Sequence, residues 1–385
     1  MLGRSRIHTR ARGSGAGAGS TTTTDLLRLI ALSPSLLIWP AEGAGWQGTS
    51  GGTLAASGQP LGLGADLSQL QGKTLAEWLA TAPELLNGSP TAISNWTYSA
   101  PTATFGGSTS GDVYWTISGL TIGQAYYATA SVSVASNGPN GQFQVRLGST
   151  GTAMTPAVAA ATTSTGEKNL VFIATETSHR VRAFDDGTTQ TQITNFSLKA
   201  LPGNHLRAGT WASPSDSARG MFQNDAINFD GVDDYYSLLN GINITTNMTV
   251  VRAFKRASAG INSIGTGQTT AFNPYEHWWL NSNNNNYSAL GPTVRDAGAA
   301  NTNTGSFVTT ACRSASLEKL RLNGTQVISV SAATASGSLT ALGRISSVYN
   351  AGEISFLALF PSELTGADLT LVEQIAASTN GATLA

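Results

Sequence analysis

The sequence predicts a mostly-β protein with two tandem antiparallel β-sandwiches of the jelly-roll type, preceded by a flexible N-terminal arm and a short helical connector. Apolar residues make up 41% of the 385 residues, enough to form cores, and charged residues only 11%, against about 25% in a typical soluble domain. From about residue 86, apolar and polar residues alternate with the period of two that β-strands require. Clusters of Gly, Asn, Pro and Ser separate these runs at short spacing, as turns do in sandwiches.

Residues 1–24 differ in composition from the rest of the chain. They contain Arg4, Arg6, Arg10 and Arg12, no acidic residue, and then a spacer of Gly, Ala, Ser and Thr. Because no apolar periodicity is present, this segment cannot bury a core and should be flexible on its own. Two interpretations stay open: an arm whose arginines anchor the protein to a larger particle, and a solvated tail.

Residues 25–85 are predicted to form a connector with two short helices. Asp25 is placed to N-cap a helix over Leu26–Leu32. Leu75 and Trp78 have the spacing of a second helix, which ends before Pro83. The glycine-rich stretch between them, EGAGWQGTSGGTLAASGQPLG, is predicted to form loops. The apolar run LLRLIALSPSLLIW is interrupted by Arg and Pro, so we expect neither a transmembrane helix nor a signal peptide.

Residues 86–201 and 202–385 are each predicted to form a jelly roll. The first region has six strand candidates: DVYWTISGL, AYYATASVSVAS, GQFQVRLGS, KNLVFIATE, HRVRAFDD and TQITNFSLKAL. The second has, among others, AINFDG, MTVVRAFKRA, YEHWWLNS and GEISFLALFPS. A type I′ hairpin is predicted at Asn323-Gly324, since both residue types tolerate positive φ. A C-terminal helix should place Leu369, Val372 and Ile375 inward.

The residue inventory narrows the range of functions. A net charge of −1 gives no bias toward nucleic acid or a membrane surface. The single cysteine, Cys312, excludes an intrachain disulfide, and four scattered histidines argue against a histidine-based metal site or catalytic triad. The sequence has no nucleotide-binding, hydrolase or metalloprotease motif. These observations point away from the common enzyme classes.

The aromatic stretch NPYEHWWLNSNNNNYSAL is the strongest candidate for a binding site. Tyr275, His277, Trp279, Asn281 and Tyr287 could form an aromatic platform surrounded by amides, which suits the apolar faces and hydroxyl rim of a sugar. The competing interpretation is that the tryptophans are buried between sheets or at a subunit interface. We expect a strand followed by a polar turn in either case.

Two acidic turns are candidates for a metal site; in Asp185-Asp186-Gly187 the aspartates are expected to cap the turn, and the stronger candidate is the turn that follows Phe229. Asp230, Asp233 and Asp234 could supply oxygen ligands to Ca²⁺, which leaves calcium as the only cofactor that the sequence suggests. The alternative, which we favour, is that these aspartates cap a tight turn around Gly231.

Three segments of the second region resemble the concanavalin A-like, laminin-G-type jelly rolls of bacterial and phage proteins. They are INFDGVDDYYSL (Ile227–Leu238), LRLNGTQVISVS (Leu320–Ser331) and Leu342–Gln374, where a glycine-rich turn leads through a strand and a Pro-Ser turn to a short helix. The first region begins with ELLNGSPTAISNWTYSAPTATF and resembles a carbohydrate-binding-module-type jelly roll. Residues 30–70 resemble the connector of phage structural proteins that have the same module pair. Pro40-Ala41-Glu42 and Gly51-Gly52 stand where that family has DPSD and DSAG.

The resemblance implies a virion appendage protein, a head fibre, spike or tail fibre of a tailed phage or gene transfer agent. Such a protein would be assembled in the bacterial cytoplasm and displayed on the virion surface. Its expected partners are capsid or tail proteins, host-surface polysaccharide and two further copies in a homotrimer, with neither nucleic acid nor membrane insertion. We therefore predict a non-catalytic adhesin. The alternatives are a polysaccharide depolymerase and a purely structural decoration protein.

Overall fold

The computed structural model describes residues 22–385 except 50, 91, 108, 189, 212–213, 257–262, 268–276, 281–284, 289–294, 301–304, 333–337 and 346–347. For the strands between residues 263 and 300 the description covers the backbone. The described residues are mostly β-strand, with few helices, as predicted. None of the described helices has both the length and the apolar character needed to cross a bilayer.

The connector contains helices and short strands. In chain order these are α1 (Thr22–Ala31), β1 (Leu36–Ile38), α2 (Pro40–Gly43), β2 (Gly45–Gly48), β3 (Gly51–Leu54), β4 (Gln59–Pro60), β5 (Leu63–Gly64) and α3 (Leu75–Thr81). Asp25 lies within the first turn of α1 and not at its N-cap, so the predicted start of this helix was wrong. Helix α3 was predicted correctly, and a capping box between Thr74 and Glu77 fixes its start.

The described residues of the region that follows the connector form ten strands. They are β6 (Ala92–Ile93), β7 (Trp96–Ser99), β8 (Thr102–Phe105), β9 (Gly111–Ser118), β10 (Ala125–Val134), β11 (Gln142–Leu147), β12 (Ala153–Ala161), β13 (Gly166–Ile173), β14 (Ser178–Asp185) and β15 (Gln192–Leu201). All six predicted strands are present. Strand β12 was missed because its sequence, AMTPAVAAA, combines alanine with a proline, both of which are uncommon in strands.

The second region contains strands followed by one long helix. They are β16 (Leu206–Ala208), a 3₁₀ turn (Asp216–Ala218), β17 (Met221–Gln223), β18 (Ala226–Asp230), β19 (Tyr236–Asn243), β20 (Met248–Arg256), β21 (Ser263–Gly267), β22 (His277–Leu280), β23 (Asn285–Ser288), β24 (Arg295–Ala300), β25 (Gly305–Arg313), β26 (Leu317–Leu322), β27 (Thr325–Ser331), β28 (Ser338–Leu342), β29 (Arg344–Ile345), β30 (Val348–Tyr349), β31 (Ala351–Phe360) and α4 (Gly366–Asn380).

Two local predictions in this region are confirmed. Asn323 and Gly324 have φ of 47° and 82° and join β26 to β27, as a type I′ hairpin requires. In α4 the residues predicted to face inward, Leu369, Val372 and Ile375, are buried.

The described strands pair antiparallel in three large sheets, of which one extends through both regions. A five-stranded sheet has the order β12-β11-β14-β9-β6, and a nine-stranded sheet has the order β27-β26-β25-β20-β31-β18-β17-β4 with β1 on β31. The third has fifteen strands in the order β24-β23-β22-β21-β28-β19-β16-β5-β2-β3-β13-β10-β15-β8-β7. The connector strands β5, β2 and β3 stand in its middle. Each of the two smaller sheets packs on one half of this long sheet, which makes two sandwiches.

The described side chains form three apolar cores. One lies inside the first sandwich and includes Phe143, Phe172 and Leu198. A second lies inside the second sandwich and includes Val250 and Phe254. The third core contains connector residues, the outer faces of both sandwiches and α4: Leu26, Trp39, Trp46, Trp78, Tyr127, Val171, Val251, Phe356 and Val372 are among its members. The connector therefore packs between the two sandwiches and contributes to the core that they share.

The prediction that the glycine-rich stretch forms loops was wrong, because its glycines allow strands to approach closely. A Cβ atom on Gly45 would lie 1.9 Å from the carbonyl oxygen of Leu63, and Gly45 has a φ of 122°. A Cβ atom on Gly51 would lie 2.8 Å from the carbonyl oxygen of Asn169 in β13. Glycine usually indicates a turn, but here it permits backbone contact within a sheet.

A buried carboxylate joins the connector to the start of the second region. Asp66, fully buried, accepts hydrogen bonds from the Leu37 backbone N–H (2.9 Å) and from the Asn204 backbone N–H (2.6 Å). The backbone N–H and the hydroxyl of Ser68 also donate to it, at 2.9 and 3.0 Å. Four donors thus converge on one side chain, and they come from three separate segments.

His205 completes this junction. Its Nδ1 accepts a hydrogen bond from the Asp66 backbone N–H at 3.1 Å, so its Nε2 carries the proton and donates to the Leu201 carbonyl at 3.1 Å. Burial lowers the pKa of His205 below its ordinary value, and the Asp66 charge opposes this only in part. The neutral imidazole is the form that this site accommodates.

Candidate functional site: the cleft between the sandwiches

The predicted sugar-binding residues lie outside the part of the chain whose side chains are described. Tyr275 and Asn281 fall between described strands, whereas His277 and Trp279 belong to β22 and Tyr287 to β23. The backbone register places Trp279 directly opposite Tyr287. The predicted strand agrees with β22, whereas the polar turn after it falls outside the described residues. The sugar-binding role of these residues stays a prediction.

The arginines predicted to anchor the protein, Arg4, Arg6, Arg10 and Arg12, also fall outside the described residues. Their role stays a prediction too.

The predicted acidic turn is formed as expected. Carboxylate oxygens of Asp230, Asp233 and Asp234 lie within 4.8 Å of one another. Asp230 Oδ1 accepts from the Val232 backbone N–H at 2.7 Å, and Asp234 Oδ2 accepts from the Asp230 backbone N–H at 2.9 Å. Gly231 has a φ of 85°. The turn-capping interpretation is thereby confirmed, and calcium binding stays a prediction.

Asp234 is the one member of this turn that is buried. Burial, reinforced by the charges of Asp230 and Asp233, raises the pKa of its carboxyl to about 6. A neighbouring cation would reverse this effect, because it favours the ionised carboxylate.

A cleft of about 300 Å³ between the two sandwiches is a candidate binding site with a mostly apolar wall. Its volume is at the lower end of the range, about 300–1,000 Å³, that small-molecule sites occupy. The first sandwich contributes Gly123, Met154, Thr155, Val158, Phe172, Ile173 and Thr175, and the second contributes Arg207, Trp211, Leu239 and Asn240. Most of the wall is apolar, with a few polar groups.

Arg207 and Trp211 form the polar end of this cleft. Arg207, on β16, is 4% exposed; its Nη1 donates to the Trp211 carbonyl at 3.0 Å, and its guanidinium lies 5.2 Å from the indole centroid. Burial lowers the pKa of Arg207 to about 10, so the side chain is positively charged at neutral pH. The cleft therefore combines a fixed positive charge with an aromatic ring.

The Trp211 indole has hydrogen-bonding capacity that the described residues do not use. Its Nε1 is buried, and no described residue accepts a hydrogen bond from it. A buried N–H without a partner is unusual in folded proteins. A ligand oxygen in the cleft would give it one.

Asn240 provides an amide at the rim. Its backbone N–H donates to Asn204 Oδ1 at 2.7 Å, and its carbonyl accepts from Asn204 Nδ2 at 2.7 Å. This two-way pairing fixes the backbone of Asn240, while its exposed side chain lines the cleft. Thr155 and Thr175, both exposed, add hydroxyls on the opposite side.

This cleft could not be predicted from the sequence because its walls come from segments far apart in the chain. Arg207 and Trp211 are close in sequence, but residues 154–175 belong to the other sandwich. No local spacing relates the two groups. The available signal was a tryptophan four residues after an arginine, just beyond the Pro202-Gly203 boundary.

No protein-family model matches the sequence, and no curated protein matches it at a significant level. Parts of the chain align with solved structures. A Trypanosoma rangeli sialidase aligns with a TM-score of 0.35 and 9% identity, over 47% of this chain and 31% of the sialidase. The CBM40 domain of a Ruminococcus gnavus IT-sialidase, bound to α2,6 sialyllactose, aligns with a TM-score of 0.28 and 12% identity, over 38% of this chain and 95% of the domain.

A third alignment is with domain 4 of AbnA, a GH43 extracellular arabinanase from Geobacillus stearothermophilus, in complex with arabinotriose. Its TM-score is 0.30 and its identity 14%, over 39% of this chain and 76% of that domain. The chain thus spans about a third of the length of the sialidase and most of the two smaller domains.

Proposed function

We propose that this protein is a virion-surface adhesin, in a head fibre, spike or tail fibre, that binds host-surface polysaccharide without cleaving it. The observation that supports sugar binding best is the cleft between the sandwiches, where Arg207, Trp211 and Asn240 meet an apolar wall. A sugar ring has apolar C–H faces and a belt of hydroxyls. It therefore needs an apolar surface together with donors and acceptors at its rim.

The individual groups suit this task. The Trp211 Nε1–H lacks a partner among the described residues and can donate to a sugar oxygen. The Asn240 amide can both donate and accept, and Arg207 offers a charged donor that is already held in place by the Trp211 carbonyl. A preorganised donor loses little conformational freedom when a ligand binds.

Binding without cleavage is favoured by the kind of groups that line the cleft. Glycoside hydrolysis commonly uses two carboxylates, about 5–5.5 Å or about 6.5–9.5 Å apart. The described residues lining this cleft include neither Asp nor Glu. A polysaccharide depolymerase remains the alternative enzyme function, and a purely structural decoration protein remains the non-binding one.

Attachment to a particle is the second part of the proposal. It rests on the arginines of the N-terminal arm and on the resemblance to virion appendage proteins. A trimer displayed in several copies would present many weak sugar sites at once, and avidity would raise the overall affinity.

The test is co-sedimentation of the purified protein with capsular polysaccharide from candidate hosts, with polymer length followed in parallel. We expect retention with unchanged polymer length. Trp211→Ala should weaken binding at least tenfold, about 1.4 kcal/mol, and Trp211→Phe should fall between, because it keeps the ring and loses the N–H. Met221→Ala, at an exposed residue outside the cleft, is the matched control.

The other outcomes assign the alternatives. Shortening of the polymer identifies a depolymerase. Retention that is lost in Trp279→Ala but unchanged in Trp211→Ala moves the sugar site to the aromatic stretch. If no glycan retains the protein, the adhesin proposal fails and the structural role stands.

A further inference from the structure

Arg252 occupies an unusual position inside the second sandwich. It lies on β20, two residues after Val250 and two before Phe254, and both of these side chains belong to the core of that sandwich. Because side chains alternate along a strand, Arg252 points into the same interior. It is 1% exposed.

Two buried polar side chains lie opposite each other on neighbouring strands there, and the described residues leave atoms of both without hydrogen-bond partners. Nε and Nη1 of Arg252 are buried, and no described residue accepts from them. Thr309 is the register partner of Arg252 on β25, and its Oγ1 is likewise buried and unpartnered among the described residues. The Arg252 guanidinium lies over the Phe254 ring, with its Cζ 4.1 Å from the ring centroid.

Two further arginines lie on this inner face. Arg256 lies two residues after Phe254 on β20, and Arg313 lies on the same face of the sheet in β25. Both side chains are at most 2% exposed. Glu318, on β26, is an acidic residue on this face, and its Oε2 lies 3.8 Å from Nη1 of Arg313.

Burial does not remove the charge on Arg252. It lowers the pKa of the guanidinium to about 9, so the group is still protonated at neutral pH. A buried cation without a counter-charge is strongly unfavourable, and in native structures such groups are paired.

We infer that the interior of the second sandwich holds an oxyanion, bound between the guanidinium of Arg252 and the hydroxyl of Thr309. Phosphate, sulfate and carboxylate all match the planar set of N–H donors of an arginine. The Thr309 hydroxyl would donate a further hydrogen bond. Two sources of this chemistry exist, a free inorganic oxyanion and the carboxylate of an acidic sugar. The inference is independent of the sugar cleft, because it uses other residues on another face.

The experiment measures the melting temperature of the full chain. The protein is first exchanged into a chloride buffer, and phosphate, sulfate or glucuronate is then added in increasing concentration at constant ionic strength. Above the dissociation constant, each tenfold rise in the concentration of free anion should stabilise the wild type by about 1.4 kcal/mol. Arg252→Met keeps most of the side-chain volume and should abolish this dependence, and Thr309→Val should weaken it. Arg28→Met, at an exposed arginine, is the control and should leave the dependence unchanged.

A second measurement covers an anion that is already bound after purification. Ion chromatography of the denatured protein should release about one oxyanion per wild-type chain and none from Arg252→Met. A response to phosphate or sulfate alone indicates an inorganic ion, and a response to glucuronate alone indicates a sugar carboxylate.

The inference is overturned if the wild type releases no oxyanion and its melting temperature follows each salt with the same slope as Arg252→Met. The equal slopes would then report only the general effect of salts on protein stability. Because this readout needs no polysaccharide, its failure is distinguishable from failure of the proposed function.

Discussion

Replacing Asp66 by alanine tests the junction between connector and second sandwich. The carboxylate accepts four hydrogen bonds, from the backbone N–H groups of Leu37, Ser68 and Asn204 and from the Ser68 hydroxyl. Alanine would leave these donors buried without an acceptor. A hydrogen bond to a charged group contributes about 1.5–3 kcal/mol, and the bonds share one side chain, so they are not additive. We expect a loss of about 4 kcal/mol.

Two milder substitutions make the reasoning quantitative. Asp66→Asn keeps one oxygen but turns an NH₂ toward two of the donors, so we expect a loss of about 2 kcal/mol. Ser68→Ala removes a single hydroxyl donor at 3.0 Å and should lose about 1 kcal/mol. The exposed Asp216→Ala, whose side chain is 67% accessible, should change stability by less than about 0.5 kcal/mol.

The assay is denaturation in urea followed by the fluorescence of the eight tryptophans. The free energies should rank Asp66→Ala, Asp66→Asn, Ser68→Ala and Asp216→Ala from largest loss to smallest. If Asp66→Ala is no more destabilising than Ser68→Ala, the converging donors do not hold the junction together and the reasoning is refuted.

Three further predictions concern pH, metal and backbone geometry. Burial depresses the pKa of His205. The contribution of this histidine to stability is therefore complete above the pKa of the unfolded state, about 6.5, and is lost as the pH falls below that value. Melting temperatures measured from pH 7.5 to about 5 should decline, and His205→Gln should reduce the decline. The raised pKa of Asp234, about 6, has the opposite sign: its contribution is present at low pH and is lost as pH rises through about 6. Asp234→Asn should therefore stabilise the protein at pH 8. If Ca²⁺ binds the acidic turn, adding it at pH 8 should raise the melting temperature of the wild type but not that of Asp234→Asn. Equal rises in both proteins would exclude calcium at this turn. Gly45→Ala should lower the melting temperature far more than Gly58→Ala, because a Cβ at Gly45 meets the Leu63 backbone whereas one at Gly58 meets open space, although both have positive φ; equal shifts would contradict the close-approach argument.

The sequence predicted those parts of the fold that depend on local pattern. The Asn323-Gly324 hairpin and the inward face of α4 follow from turn chemistry and periodicity, which short segments contain completely. Strands β2 and β3 could not be predicted in this way. Their glycines are required by backbone atoms of Leu63 and Asn169, which are distant or on another strand.

The candidate site shows the same division on a larger scale. An aromatic cluster such as Trp278-Trp279 is visible in sequence because its members are adjacent. The cleft depends on Arg207 and Trp211 lying near Phe172 of the other sandwich, which no local sequence pattern indicates. Arg252 was overlooked for a related reason: an arginine in a strand normally indicates a solvent-facing position.

The pairing of β1 with β31 has a consequence for the order of events during synthesis. The Ser35 hydroxyl bonds to the Leu359 carbonyl, 324 residues later in the chain. At about 5–20 residues per second, a ribosome needs on the order of 16–65 s to make the intervening chain. Throughout that interval the apolar side chains of β1 lack the strand β31 on which they pack. The nascent protein therefore exposes this apolar surface until β31 has been made, and β1 can pair only after that strand emerges.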